Sequence, residues 1–141
     1  MKRALASILL IGMVFSCSTT ASATEAEIYR ASPTLSSYIA VLYTGSSKGK
    51  LILSYDVVAS RWADSIGVEL IQFYTEDGDL EASVTGTVSN GLMCTNSGIH
   101  GGDFEYDLPS GEYYYAEVTV FAEYNGVYDS RTVTTNTVWV R

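Results

Sequence analysis

The sequence predicts an all-β domain, an antiparallel two-sheet β-sandwich of about seven strands, on three observations. No stretch after Thr24 repeats apolar residues at the three- and four-residue spacing of an amphipathic helix. Residues that favour strands (Val, Thr, Tyr and Ile) alternate with Gly, Ser, Asn and Asp, which favour turns. The strand-like runs follow one another at the short intervals that are typical of sandwiches and not of βαβ units.

The first four predicted strands alternate with short polar turns. They cover residues 36–43, 50–59, 66–75 and 81–88. The pair Asp77-Gly78 joins the third and fourth strands, and glycine accepts the positive φ of a tight hairpin turn. Residues 89–102 carry Asn-Gly, Asn-Ser-Gly and Gly-Gly, so we expect a long loop there.

Three further strands, at residues 103–108, 112–124 and 129–140, complete the predicted domain. The last two form a hairpin around Asn125-Gly126. Strand 112–124 shows two distinct faces, because successive side chains in a strand point to opposite sides of the sheet. The face predicted for the core consists of Tyr114, Ala116, Val118, Val120 and Ala122, and the outer face carries Tyr113, Tyr115 and Phe121 among acidic residues.

The first 23 residues predict a secretory signal peptide. A basic start at Lys2 and Arg3 precedes about a dozen apolar residues, which is shorter than the roughly 20 that a membrane-spanning helix needs. Small residues then lead to a cleavage site after Ala23, so the mature chain begins at Thr24. We expect a secreted protein with no membrane span, a loose lead-in over residues 24–34 and a single domain over 35–141.

A second processing route remains open at Cys17. Residues 14–17 loosely resemble the lipobox at which bacterial lipoproteins are cut and lipid-modified, which would anchor the same domain to a membrane. With cleavage after Ala23, Cys94 is the only cysteine of the mature chain, so no intramolecular disulfide is expected. This thiol is either buried as a small hydrophobe or exposed and able to form a dimer; the oligomeric state stays open.

The charge of the chain limits its partners. The formal net charge is −8, and removal of Lys2 and Arg3 makes the mature chain more acidic still. Such a surface repels phosphate backbones, so we expect no nucleic-acid partner. Basic proteins and neutral glycans remain compatible with it.

Two constellations could carry chemistry, and both are weak. Cys94 and His100 could form a nucleophile and base, but no third group is positioned to orient them, so we expect no enzyme activity and no cofactor. The carboxylates at the predicted hairpin turn could collect calcium, although their spacing does not follow an EF-hand. They are Glu76, Asp77, Asp79 and Glu81, and a solvated turn is the preferred interpretation.

Aromatic residues are the strongest pointer to function. Eleven tyrosines and two tryptophans exceed what one small core requires. Tyr113, Tyr115 and Phe121 on an outer face, with Trp62 in a predicted loop, could bind a ligand by stacking on sugar rings or by anchoring a protein. The plainer alternative is cross-strand pairing that stabilises the sheet.

The segment that begins at Leu108 resembles the tyrosine corner of fibronectin type III domains. Leu108, Gly111 and Tyr114 match the leucine, glycine and tyrosine of that motif, and residues 51–56 resemble the second strand of such domains. The resemblance implies an immunoglobulin-like sandwich in which the Tyr114 hydroxyl bonds to nearby backbone.

Most of the mature chain also resembles a group of small, signal-bearing proteins of unknown function from Gram-positive, mostly anaerobic bacteria. The similar pieces are residues 38–43, 64–68 and 115–132. The resemblance implies an architecture and no chemistry. We therefore expect a non-enzymatic binding or cell-surface interaction module with an unidentified protein partner, or alternatively a glycan-binding module that uses exposed aromatic residues.

Overall fold

The computed structural model describes residues 33–141. The predicted signal peptide, its cleavage site at Ala23 and Thr24, Cys17 and most of the predicted lead-in lie outside the described residues. The two described lead-in residues include Thr34, which is buried and whose backbone amide donates to the Asp129 carboxylate at 3.3 Å.

The described chain consists of antiparallel strands, which confirms the all-β prediction. The strands are β1 (Leu35–Thr44), β2 (Lys50–Thr75), β3 (Leu80–Thr85), β4 (Met93–Asp107), β5 (Glu112–Tyr124), β6 (Val127–Thr134) and β7 (Val138–Val140). No helix among residues 33–141 is long and apolar enough to cross a membrane.

Strand β2 runs through both halves of the sheet. Its first half pairs with β1 along one edge and with β4 along the other, and its second half pairs with β5 and β3. The prediction of two separate strands here was wrong. Pairing continues through the predicted break, since Ala63 faces Ser97 of β4 and the Ser60 amide donates to the Thr34 carbonyl at 2.7 Å.

The predicted loop over residues 89–102 was also wrong from Met93 onward, because β4 begins there. Gly101 lies opposite Asp56 in the β2–β4 pair. A Cβ atom at Gly101 would stand 2.9 Å from the Tyr55 carbonyl oxygen, so glycine is required here by close backbone packing and not by a turn.

The sheet curls so that its two halves enclose one hydrophobic core. In the first half, Leu42, Leu51 and Leu53 point inward and are buried. In the second half, the inward side of β5 is fully buried, as predicted for residues Tyr114, Ala116, Val118, Val120 and Ala122. Packing of two apolar inner faces against each other is the main source of stability for such a domain. Within the described residues, Cys94 is a free cysteine and forms no disulfide.

The free edge of β1 is held to the C-terminal strands by side chains. The Asn136 amide accepts from the Leu42 nitrogen and donates to the Leu42 carbonyl, both at 2.9 Å. The predicted strand 129–140 is divided into β6 and β7 at this point, because the Thr135 hydroxyl, and not a backbone carbonyl, accepts from the Ala116 amide at 2.9 Å. Both segments pair with β5.

Candidate binding surface

Three consecutive tyrosines of β5 have three different surroundings. Tyr114 points into the core, where its hydroxyl donates to the Pro109 carbonyl at 3.1 Å. Leu108 is buried nearby, and Gly111 has a φ of 90° that other residues rarely adopt. Burial raises the pKa of Tyr114, and the charges of Glu81 and Glu112 raise it further. The predicted corner residues are thus brought together around a satisfied hydroxyl.

Tyr113 points to the opposite, outer face of the sheet and packs against Trp139. The two residues are cross-strand partners in the β5–β7 pair. Their ring centroids are 4.9 Å apart with an angle of 62° between the planes, which is the edge-to-face geometry that aromatic quadrupoles favour. Tyr113 is 46% exposed and Trp139 is 43% exposed, so the pair is accessible to a partner.

Tyr115 lies two residues further along the same outer face and packs against Tyr74 of β2. Their ring centroids are 5.4 Å apart and the planes are 15° from parallel. Leu80 of β3 is the next cross-strand neighbour of Tyr74 and is 54% exposed. These residues are cross-strand partners or same-face neighbours across four strands. We call Trp139, Tyr113, Tyr115, Tyr74 and Leu80 the aromatic strip.

Backbone contacts hold the aromatic strip in place. The Trp139 carbonyl accepts from the Thr44 hydroxyl at 2.8 Å, and the Tyr113 carbonyl accepts from the Glu76 amide at 3.0 Å. Burial raises the pKa of the Tyr74 hydroxyl, and the charge of Glu117 adds to this effect. The Tyr74 hydroxyl is therefore protonated at neutral pH and can donate a hydrogen bond.

Trp62, which we expected to act together with Tyr113 and Tyr115, lies elsewhere, and that expectation was wrong. Trp62 is 68% exposed and belongs to β2 near Ser65, which pairs with Glu123. Tyr113 is at the other end of β5. At about 3.3 Å per strand residue, roughly 30 Å separates the two positions, which is too far for one small ligand.

Phe121 is buried, which contradicts its predicted role as an exposed binding residue. It does point to the outer side of β5, but it is only 3% exposed. Its ring is stacked on Tyr128 with centroids 5.7 Å apart, and its cross-strand partner on β2 is Gly67. Because glycine has no side chain, the Phe121 ring can lie flat against the sheet under Tyr128.

Cys94 and His100 do not form a hydrogen-bonded pair in the described part of the chain. The His100 Nε2 atom lies 2.8 Å from the Gly91 carbonyl and 3.2 Å from the Tyr55 hydroxyl. Tyr55 also donates to Gly91, and burial raises the pKa of Tyr55, with a smaller effect from Cys94. Cys94 is half-buried and packs on the core. That the chain is not an enzyme stays a prediction.

The possible calcium ligands at the β2–β3 turn do not converge. Between residues 33 and 141, no three His, Cys, Asp or Glu side chains are grouped so that they could hold a metal ion. The turn ends in Gly78 with a φ of 90°, and the acidic side chains that surround it are exposed. The carboxylates concerned are Glu76, Asp77, Asp79 and Glu81.

The sequence interpretation missed three members of the aromatic strip, Trp139, Tyr74 and Leu80. The two aromatic ones could have been found from alternation, since Tyr74 follows the buried Phe73 and Trp139 precedes the buried Val140. What alternation could not supply is the register that places Trp139 opposite Tyr113.

Comparison with known proteins gives little further information. No family model matches the chain, and no curated protein matches it. Among solved structures, the chain is similar to a family 76 glycoside hydrolase from a bovine Bacteroides thetaiotaomicron strain, with 13% identity and a TM-score of 0.44. The similarity covers 75% of this chain and 20% of that chain, so the chain spans about one fifth of the neighbour's length. A similarity of this size carries neither a fold nor an activity to this chain.

Proposed function

We propose that this chain is an exported, non-enzymatic binding domain that engages a protein partner through the aromatic strip. The single observation that carries the proposal is the row of four aromatic rings and Leu80 across the outer face of the sheet, with Tyr113 and Trp139 nearly half exposed. Tyrosine and tryptophan provide large contact areas with few rotatable bonds, and they are enriched where proteins bind one another.

We further propose an immunoglobulin-like fold of the fibronectin type III kind. The order of pairing supports it, because one half of the sheet contains β1, β2 and β4 and the other contains β3, β2, β5 and β6. The buried Tyr114, bonded to the Pro109 carbonyl after the positive-φ Gly111, supports it as well. Domains of this architecture commonly present binding surfaces on a sheet face or at the loops that end the sheets.

The ring geometry favours a protein over a sugar as the partner. A platform for a sugar ring offers aromatic faces that lie in one plane toward solvent, whereas the planes of Tyr113 and Trp139 are inclined by 62°. Tyr74 and Tyr115 are stacked on each other, so part of each ring face is already covered. A glycan-binding module that uses Trp62 with Tyr113 and Tyr115 has less support, since Trp62 lies on the part of β2 next to the far end of β5 from these tyrosines.

Export remains part of the proposal. Mass spectrometry of the protein recovered from culture medium and from membranes reads the mature N-terminus directly. We expect a chain that starts at Thr24 in the medium. A lipid-modified Cys17 in the membrane fraction would instead support the anchored alternative.

The binding proposal is tested with a peptide array and a glycan array probed with the same labelled mature chain. The test variant is Tyr113→Ser with Trp139→Ser, and the control is Tyr43→Ser, which removes an aromatic side chain that is 54% exposed on the other half of the sheet. We expect peptides to be bound by the wild type and the control, with about a tenfold loss of affinity or more in the double variant. Peptide binding that the double variant retains, or binding to glycans only, would contradict the proposal.

A further inference from the structure

We propose that the occupant of the aromatic strip is a basic polypeptide segment, whose Lys or Arg side chains lie over the rings and reach the carboxylates beside them. This inference rests on the proposed function and adds the chemical class of the partner. It combines three observations: a partly exposed aromatic surface, negative charge beside it, and the absence of ion pairs between these carboxylates and the described cations.

The rim of the aromatic strip is acidic on two sides. Glu76 directly follows the end of β2 beside Tyr113, to which its amide is bonded. Glu117 follows Tyr115 on the same face of β5, opposite Gln72, and its charge raises the pKa of Tyr74. The remaining rim residues lie in the β2–β3 turn. They are Asp77 and Asp79, both exposed.

Three of the five Lys and Arg residues within residues 33–141 are engaged away from this surface. Lys50 forms ion pairs with Glu105 at 3.0 Å and Asp107 at 3.7 Å, and Arg131 pairs with Asp129 at 2.9 Å. The third is Arg61, which lies over the Tyr124 ring. Arg141, two residues after Trp139, donates to the Gly45 carbonyl, and Lys48 lies in the turn between β1 and β2. No ion pair within residues 33–141 involves a rim carboxylate, so these carboxylates can pair with a cationic partner.

A basic side chain fits this surface better than an apolar one alone. Aromatic ring faces attract cations, and the molecule already contains one such pair, with the Arg61 guanidinium 5.1 Å from the centre of the Tyr124 ring. A carboxylate beside the ring adds a second attraction, and the long aliphatic stems of Lys and Arg cover apolar surface such as Leu80. The same field repels acidic segments, phosphate backbones and anionic lipid.

The test uses the mature chain with Trp62→Phe, so that Trp139 is the only remaining tryptophan reporter. Three dodecapeptides with identical apolar residues carry Lys and Arg, Gln, or Glu at the remaining positions. We expect the basic peptide to change Trp139 fluorescence and to bind about tenfold more tightly than the Gln peptide at low salt. This advantage should largely disappear at about 0.5 M salt, where exposed charges are screened.

Charge variants test whether the rim carboxylates cause the preference for the basic peptide. Glu76→Gln with Glu117→Gln should weaken binding of the basic peptide about fivefold or more and leave binding of the Gln peptide unchanged. Asp56→Asn with Asp103→Asn, which removes two exposed carboxylates from the other half of the sheet, is the matched control and should have little effect. Circular dichroism confirms that both variants are folded.

The outcomes separate this inference from the proposed function. Equal binding of the basic and Gln peptides, lost on Tyr113→Ser with Trp139→Ser, would overturn the basic partner and leave the binding surface in place. Equal loss in the rim variant and the control would also overturn it, because attraction would then come from overall charge. If none of the three peptides binds, the basic segment is rejected, and the peptide array decides on the proposed function independently.

Discussion

Both faces of β5 carry tyrosine, but the tyrosines on the two faces have different surroundings and roles. On the inner face, Tyr114 is 1% exposed and its hydroxyl is bonded to the backbone. On the outer face, the adjacent Tyr113 is nearly half exposed and contacts another aromatic ring. The difference shows that strand alternation decides which tyrosine supports the fold and which is available to a partner.

Position along the outer face matters as much as the choice of face. Phe121 and Tyr113 point to the same side of β5, yet Phe121 is buried under Tyr128 and Tyr113 is accessible. Phe121 has Gly67 opposite it, whereas Tyr113 has Trp139. The residue on the neighbouring strand therefore influences whether an outward aromatic side chain is buried, as Phe121 is, or stays exposed, as Tyr113 does.

The largest loss of stability is expected when the inner tyrosine is truncated. Tyr114→Ala should lower the free energy of unfolding by about 4 kcal/mol, because it leaves a cavity in a fully buried site. Tyr114→Phe keeps the ring and removes only the bond to Pro109, so a loss of about 1 kcal/mol is expected. Urea denaturation followed by circular dichroism measures both. Equal losses in the two variants would show that the hydroxyl, and not the packing, dominates.

The outer face gives the second prediction. Phe121→Ala should destabilise the domain by about 3 kcal/mol, since the ring is buried although it points away from the core. Tyr113→Ala should cost less than about 1 kcal/mol, close to the value of a single exposed aromatic pair. The same denaturation experiment compares the two variants. A large loss for Tyr113→Ala would mean that the aromatic strip is mainly structural, and the binding proposal would lose its support.

The smallest expected effect concerns alkaline pH. Burial raises the pKa values of Tyr55 and Tyr114 above the ordinary value of 10.0, so their neutral forms are favoured in the folded chain. Below pH 10 both states are protonated and the stabilisation is complete. Above it the unfolded chain loses protons first, so the free energy of unfolding should fall as pH rises through the raised pKa values.

Thermal unfolding from pH 8 upward, with tyrosinate absorbance recorded in parallel, measures this dependence. Tyr114→Phe serves as the control, because it removes one of the two buried hydroxyls and should make the decline in stability shallower. An identical decline in Tyr114→Phe and the wild type would show that Tyr114 does not contribute to the pH dependence.

The sequence was sufficient for the all-β class and for the inner face of β5, because alternation of Tyr114 to Ala122 with polar neighbours is a strong local pattern. It failed over residues 93–102, where Gly101 and Gly102 were interpreted as turn residues. The role of Gly101 depends on its close approach to the Tyr55 carbonyl on another strand, which no local pattern contains. The aromatic strip was found in part, since Tyr113 and Tyr115 follow from alternation, while Trp139 and Tyr74 join them only through register.

Strand β2 has a consequence for how the domain responds to stress. Its 26 residues pass without interruption from one half of the sheet to the other, pairing with four of the other strands on the way. Unfolding of one half should therefore also disturb the pairing of the shared strand in the other half. The domain should resist a mechanical load as one cooperative unit and yield in a single step.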